Sequence, residues 1–109
     1  MYSTVFITAP SSDSARNLSR MLLERRLAAC ANIFPISSLY WWKGEIVEEG
    51  EHAVLLKTRT EDFKEIRKAV LGHHPYEVPC IVRYAISEGH DAYLEWIRES
   101  TERTRRAVH

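Results

Sequence analysis

The run Ala53-Val54-Leu55-Leu56 constrains the fold more than any other stretch of the chain. A strand with one wet face alternates apolar and polar side chains, so four apolar residues in succession imply burial on both faces. The chain has 109 residues, 45% of them hydrophobic, enough for a compact core in one domain spanning residues 1–109. Tyr2 to Ala9, rich in β-branched and aromatic residues and stopped by Pro10, is a second strand.

Between these strands the period changes. Ser11, Ser12 or Asp13 offers an N-cap, and Ala15, Leu18 and Leu22 then fall on one helical face as far as Arg26, with Met21 and Leu23 widening it. Ala29 to Tyr40 reads as a long strand bent at Pro35, followed by a hairpin at Lys43-Gly44. Its return strand is interrupted at Gly50 and continues from His52 to Thr58. Thr60 is placed to cap a second helix, with Glu61 and Asp62 in the first turn, Phe63, Ile66 and Val70 at helical spacing, and Gly72 at its end. Cys80 to Ile86 reads as a last central strand and Gly89-His90-Asp91 as a turn. A closing helix from Ala92 carries Tyr93, Trp96 and Ile97 inward. The order β-α-β-β-α-β-α predicts an α+β fold, the split ferredoxin-like sandwich with a C-terminal helix added and an antiparallel sheet covered by helices on one face.

Such a sheet leaves its other face uncovered, yet Tyr40, Trp41 and Trp42 stand consecutively, and no strand geometry buries all three in a small monomer. Aromatic side chains of this size are favoured at subunit interfaces, so the hairpin predicts a homo-oligomer joined there.

Charge excludes other partners. Fifteen basic and fifteen acidic residues cancel, which removes the broad positive field of a nucleic-acid-binding protein. The C-terminal Arg98, Arg103, Arg105 and Arg106 alternate with Glu95, Glu99 and Glu102, the pattern of a solvated helical face. No apolar run approaches the roughly 20 residues that cross a bilayer, so no membrane partner is expected. The first residues have no basic region before their apolar stretch and do not read as a signal peptide. Two cysteines, Cys30 and Cys80, suggest no disulfide scaffold and fit a reducing cytoplasm. Cys30, among Leu27, Ala28, Ala29, Ala31 and Ile33, reads as a packing residue.

The chemistry gathers in His73-His74-Pro75-Tyr76-Glu77-Val78-Pro79. Proline biases the residue before it toward extended backbone, making this a stiff connector that carries two imidazoles, a phenol and a carboxylate. Neutral imidazole is a common ligand for copper, zinc and nickel, and a thiolate such as that of Cys80 favours Cu(I). Consecutive extended residues point to opposite faces, so His73 and His74 reach one ion only if the bend at Pro75 turns them together or if the site is shared between subunits.

Taken together, Leu27-Ala28-Ala29-Cys30-Ala31-Asn32-Ile33, Ser38-Leu39-Tyr40-Trp41-Trp42-Lys43-Gly44, Leu56-Lys57-Thr58, the His-Pro-Tyr-Glu-Val-Pro segment and Tyr93-Leu94-Glu95-Trp96-Ile97 resemble the CutA family of divalent-cation tolerance proteins. The resemblance covers nearly the whole chain in order. It implies a cytoplasmic homotrimer of ferredoxin-like subunits, similar in architecture to the PII signalling proteins. It also implies tolerance to copper and other divalent metals, with copper held by the paired histidines and, in some members, by a cysteine on the first strand. Ile7 stands at that cysteine's place, and Cys80 stands where the family usually has Glu after Val-Pro.

The expected metal ligands are therefore His73, His74 and Cys80, with Cu(II) or another divalent cation bound and no organic cofactor. Tyr76, Glu77 and Lys57, with Glu51, are expected at a cleft between subunits that binds a small molecule or partner protein in the alternative reading. Tyr40, Trp41 and Trp42 are expected at the subunit joint. No Gly-rich phosphate loop, Gly-x-Ser-x-Gly elbow or His-Glu-x-x-His motif occurs, and no catalysis is expected.

Overall fold

A computed structural model describes residues 1–103 of the chain. Its elements run β1 (Tyr2–Ala9), α1 (Ser12–Glu24), β2 (Cys30–Trp42), β3 (Glu45–Arg59), a 3₁₀ turn (Thr60–Asp62), α2 (Phe63–Leu71), β4 (Ile81–Ile86) and α3 (Asp91–Ser100). The fold is mixed α+β: a four-stranded sheet in the order β2-β3-β1-β4, every neighbouring pair antiparallel, with three α-helices. Arg105 and Arg106 of the C-terminal basic cluster lie outside the described residues.

The apolar run lies in β3, between β1 and β2, where ladders on both sides satisfy its backbone. Val54 pairs with Ile7 and Leu56 with Val5, and this face packs on Ala15, Leu18 and Leu22 of α1 and Ile66, Ala69 and Val70 of α2. Ala53, on the opposite face, is buried as well, so the expectation of two covered faces holds there. Ser11 caps α1, its Oγ accepting from the Ser14 N–H at 3.1 Å. Arg26 then takes the left-handed φ of 59° and ends the helical run.

Four expectations are corrected. Gly50 does not interrupt the return strand, because it pairs with Ser37 inside an unbroken ladder from Cys30↔Lys57 to Trp42↔Glu45. β4 is an edge strand, not a central one: it pairs only with β1, and most of its side chains are exposed. Its apolar start at Ile81-Val82 imitates a buried strand, but only Ile81 packs against the core. Thr60 does not cap α2; its hydroxyl shares a 2.6 Å hydrogen bond with Ser3 Oγ, and α2 begins after the 3₁₀ turn.

The last helix gives the fourth correction. Ile97 is fully buried, but Tyr93 and Trp96 keep 39% and 41% of their surface in solvent. α3 packs chiefly on β3, and Tyr93 stands beside Cys30. Side chains alternate along β2, and Ala31 and Ile33 face α1, so Cys30 and Tyr93 lie on the other side of the sheet. The helices therefore do not share one face. α3 is tied down by its C-terminal end, where the Arg59 guanidinium donates to Thr101 O at 2.8 Å and Arg103 donates to buried Asp62 at 2.5 Å.

β2 and β3 run past the helices as a long hairpin. It closes at Lys43 and Gly44 with φ of 51° and 81°, the doubly left-handed turn whose twist matches that of two paired strands. Its outer residues divide by alternation. Tyr40 and Trp42 are 37% and 38% exposed, whereas Leu39, Trp41 and Ile46 on the opposite face are 66%, 71% and 62% exposed.

Candidate functional site

The His-Pro segment begins where α2 runs out. Both His73 and His74 N–H groups donate back to Val70 O, at 3.0 and 2.8 Å, which swings the chain off the helix with its two imidazoles in fixed positions. The two rings then have different uses. His73 Nδ1 lies 2.9 Å from Ala69 O; a carbonyl only accepts, so Nδ1 carries the proton and Nε2 keeps a free lone pair on an exposed ring.

His74 spends both nitrogens inside the protein. Nε2 donates to Thr8 O at 2.6 Å, and Nδ1 accepts from the Tyr76 N–H at 3.1 Å. β4 pairs with β1 only as far as Ile7↔Ile81, so His74 serves the strand end just beyond that ladder. The imidazole thus pins the segment to β1, and the Tyr76 ring packs 4.7 Å from it.

Tyr76 crosses to the sheet face that α1 and α2 leave open. Its hydroxyl donates to Glu51 Oε2 at 2.7 Å, and Glu51 itself is only 7% exposed. Beside it the Tyr40 hydroxyl donates to Glu49 Oε1 at 2.5 Å. The hairpin and the segment after Pro75 enclose an open cleft of about 660 Å³, whose lining includes Tyr40, Trp41, Trp42, Glu49, Glu51, Tyr76, Glu77 and Cys80. The hydrogen bond to Glu49 is the main cause that pushes the Tyr40 phenol up to about 12. Burial first, and then the bond to Glu51, hold Tyr76 protonated well above the usual phenol range. Burial, with the nearby Glu51 charge, also pushes the Cys80 thiol up, so it is a protonated thiol at neutral pH.

The structure divides the expected residues into three places. His73 and His74 border a groove of about 440 Å³ against α1, with Asn17 and Met21 on its far wall. Cys80 faces the cleft with Tyr76 and Glu77. Lys57 lies away from both: it pairs in register with Cys30, six positions along β3 from Glu51, and its ammonium bonds Asn32 Oδ1. Among the described residues no group of three or more His, Cys, Asp or Glu side chains stands close enough to hold a metal ion. Sequence reasoning missed Thr8 and Glu49. The signal for Glu49 was its spacing of two from Glu51, which puts both carboxylates on one face of a strand; nothing in the sequence pointed to the Thr8 carbonyl.

Residues 3–100 match the CutA1 divalent ion tolerance protein family. The chain belongs to this family. The Divalent-cation tolerance protein CutA of Archaeoglobus fulgidus is 45% identical over 102 residues, covering 94% of this chain and 100% of that protein. The corresponding protein of Thermus thermophilus is 47% identical over 102 residues, covering 93% and 99%. Among solved structures, the A. fulgidus protein, described as a periplasmic divalent cation tolerance protein, superposes with a TM-score of 0.92 at 45% identity, covering 94% of this chain and 100% of that one. The T. thermophilus structure superposes with a TM-score of 0.90 at 47% identity, covering 94% and 100%. CutA1 membership makes divalent-cation tolerance the functional frame, and no helix among the described residues is long and apolar enough to cross a membrane.

Proposed function

We propose that this CutA1 chain is a cytoplasmic, ferredoxin-like homotrimer that binds divalent metal, Cu(II) foremost, and so contributes to metal tolerance by binding rather than by catalysis. The observation that carries the proposal is the exposed His73 ring, whose Nε2 lone pair is free because Nδ1 is spent on Ala69 O. Copper accepts imidazole nitrogen readily, but one nitrogen does not make a site. A trimer brings three such rings into one assembly, and sharing an ion between copies supplies the ligands that a single protomer lacks. His74 joins such a site only by giving up its bonds to Thr8 and Tyr76, and Cys80 only by losing a tightly held proton. The joint of the trimer is proposed at Tyr40, Trp41 and Trp42, with Trp41 contributing most because it lies with Leu39 and Ile46 on an exposed apolar face.

Calorimetric titration of Cu(II) tests the metal. The His73→Ala variant is expected to bind at least tenfold more weakly than wild type; equal affinity would remove His73 from the account. Light scattering tests the assembly, for which three copies are expected and a monomer at micromolar concentration would overturn the joint.

A second reading is supported by the cleft itself: a PII-like trimer that takes a small molecule or partner protein at Tyr76 and Glu77, with Lys57 contributed from elsewhere in the assembly. The cleft's volume of about 660 Å³ lies within the range of ligand sites, about 300–1,000 Å³. A thermal-shift screen of metabolites tests it, since a ligand at 100 times its Kd adds about 2.7 kcal/mol to stability.

A further inference from the structure

On the other side of the sheet, α1 and the edge strand β2 border a groove of about 590 Å³ in which guanidinium groups gather without carboxylates to match them. Arg16 and Arg20 stand one helical turn apart on α1, so both lie on the flank that faces the groove, and Arg26, just past the helix, lines it too. Among the described residues none of the three forms a salt bridge. Their hydrogen bonds go to neutral oxygens instead: Arg16 Nε donates to Ser12 Oγ at 3.1 Å, and Arg26 Nη1 donates to Ser100 O at 3.1 Å. Such bonds position a guanidinium in advance and leave its charge uncancelled. Glu24 also lines the groove, so three positive charges face one negative charge. Leu23, Ala31 and Ile33 supply apolar surface between them.

Ser19 adds an independent sign of a ligand. It lines the same groove and is only 4% exposed, and its hydroxyl has no hydrogen-bond partner within the protein. A buried hydroxyl left unpaired is costly, and native proteins keep few of them. An acceptor oxygen brought in between the guanidiniums supplies that partner.

We propose that this groove binds a phosphate monoester, its charged oxygens held by Arg16, Arg20 and Arg26, with one accepting from Ser19, and its organic group against Leu23, Ala31 and Ile33. The forked N–H donors of arginine match phosphate oxygens in pairs, and a dianion answers the excess of two positive charges. A metal cation finds no lone pair on a guanidinium. The site is separate from both readings above. His73 borders a different groove, walled by Asn17 and Met21 of α1. Ile33 is six positions along β2 from Leu39, about 20 Å of extended chain from the proposed joint.

The test is calorimetric titration of the intact protein with phenyl phosphate in the presence of a chelator, with inorganic phosphate, benzoate and benzyl alcohol in parallel. Saturable binding of phenyl phosphate is expected, severalfold tighter than inorganic phosphate or benzoate and at least tenfold tighter than the alcohol. Affinity should fall with added salt, and again below about pH 6, where the phosphate dianion takes up a proton. Arg16→Gln and Arg20→Gln, both at exposed positions, are expected to raise Kd at least tenfold each, and Ser19→Ala severalfold. His73→Ala is expected to bind phenyl phosphate as wild type does. Affinity unchanged in both arginine variants, or an alcohol that binds as tightly as the ester, would overturn the proposal. Benzoate binding as tightly as the ester would overturn the phosphate assignment, and inorganic phosphate doing so would overturn the role of the apolar surface. Absence of saturable binding would overturn the site altogether; if Arg20→Gln also weakened self-association, acidic residues of a second copy would be its occupant instead.

Discussion

Replacing His74 by alanine separates a structural imidazole from a metal-ligating one. The substitution removes two hydrogen bonds, to Thr8 O at 2.6 Å and from the Tyr76 N–H at 3.1 Å. Each is worth about 1 kcal/mol net, and Thr8 is buried, so its carbonyl is left with a desolvation cost of about 1 kcal/mol more. The ring also packs 4.7 Å from that of Tyr76, a contact of about 0.5 kcal/mol. The sum is a loss of about 3.5 kcal/mol. At about 2 kcal/mol per molar urea, the unfolding midpoint falls by about 1.75 M. The measurement is equilibrium urea unfolding with chelator present, at equal protomer concentration because self-association stabilises the folded state. His73→Ala, which removes one hydrogen bond of an exposed ring, is expected to cost no more than about 1 kcal/mol. Coincident midpoints for His74→Ala and wild type, equal losses in the two variants, or a His74 effect that appears only with metal would each refute the division of roles.

The alkaline limb of stability provides another test. The Tyr76 phenol is raised in the folded protein above its ordinary value of 10.0, so the unfolded chain releases that proton first and the contribution is complete below pH 10 and declines as pH rises above it. Urea midpoints between pH 8 and 11 should fall less steeply in Tyr76→Phe than in wild type; parallel slopes would contradict the Tyr76–Glu51 bond. Leu56→Ala opens a cavity where Leu56 is fully buried against Val5 and α1, with an expected cost of about 3 kcal/mol by the same unfolding assay. Gly44→Val forces a β-branched residue into φ of 81° and is expected to cost about 1–2 kcal/mol, although space for the side chain is open. Asp62→Ala leaves Arg103 and Arg59 without their shared carboxylate, which is itself only 4% exposed; a loss of about 2 kcal/mol and earlier proteolysis at the C-terminal end are expected.

Much of the fold was legible because its period-2 and period-3.6 segments are cleanly separated. β1 runs over the expected residues, and the hairpin turn falls at Lys43-Gly44, where positive φ is needed twice. The errors came where tertiary context overrides local pattern. Gly50 suggests a break, but a cross-strand partner at Ser37 keeps it in the ladder. Thr60 has the chemistry of a cap, but Ser3, 57 residues away in sequence, takes its hydroxyl. Tyr93 and Trp96 follow helical spacing like core residues, yet only Ile97 reaches a buried position against the sheet. At the site, the segment carrying the chemistry was evident from its composition. The unequal duties of adjacent histidines were not, since they depend on two carbonyls, Ala69 O and Thr8 O, that no side-chain pattern reveals. Lys57 was grouped with Tyr76 by charge alone, and the β3 register sets it six positions from Glu51.

The most direct test of metal binding at His73 is a crystal soaked in copper and measured at the copper absorption edge. The account predicts an anomalous peak about 2.0 Å from His73 Nε2, the usual metal–imidazole distance, with further ligands from a neighbouring copy and with His74 still bonded to Thr8 and Tyr76. A peak on Cys80 or Glu51 with His73 bare, or no peak in a fully soaked crystal, would contradict it.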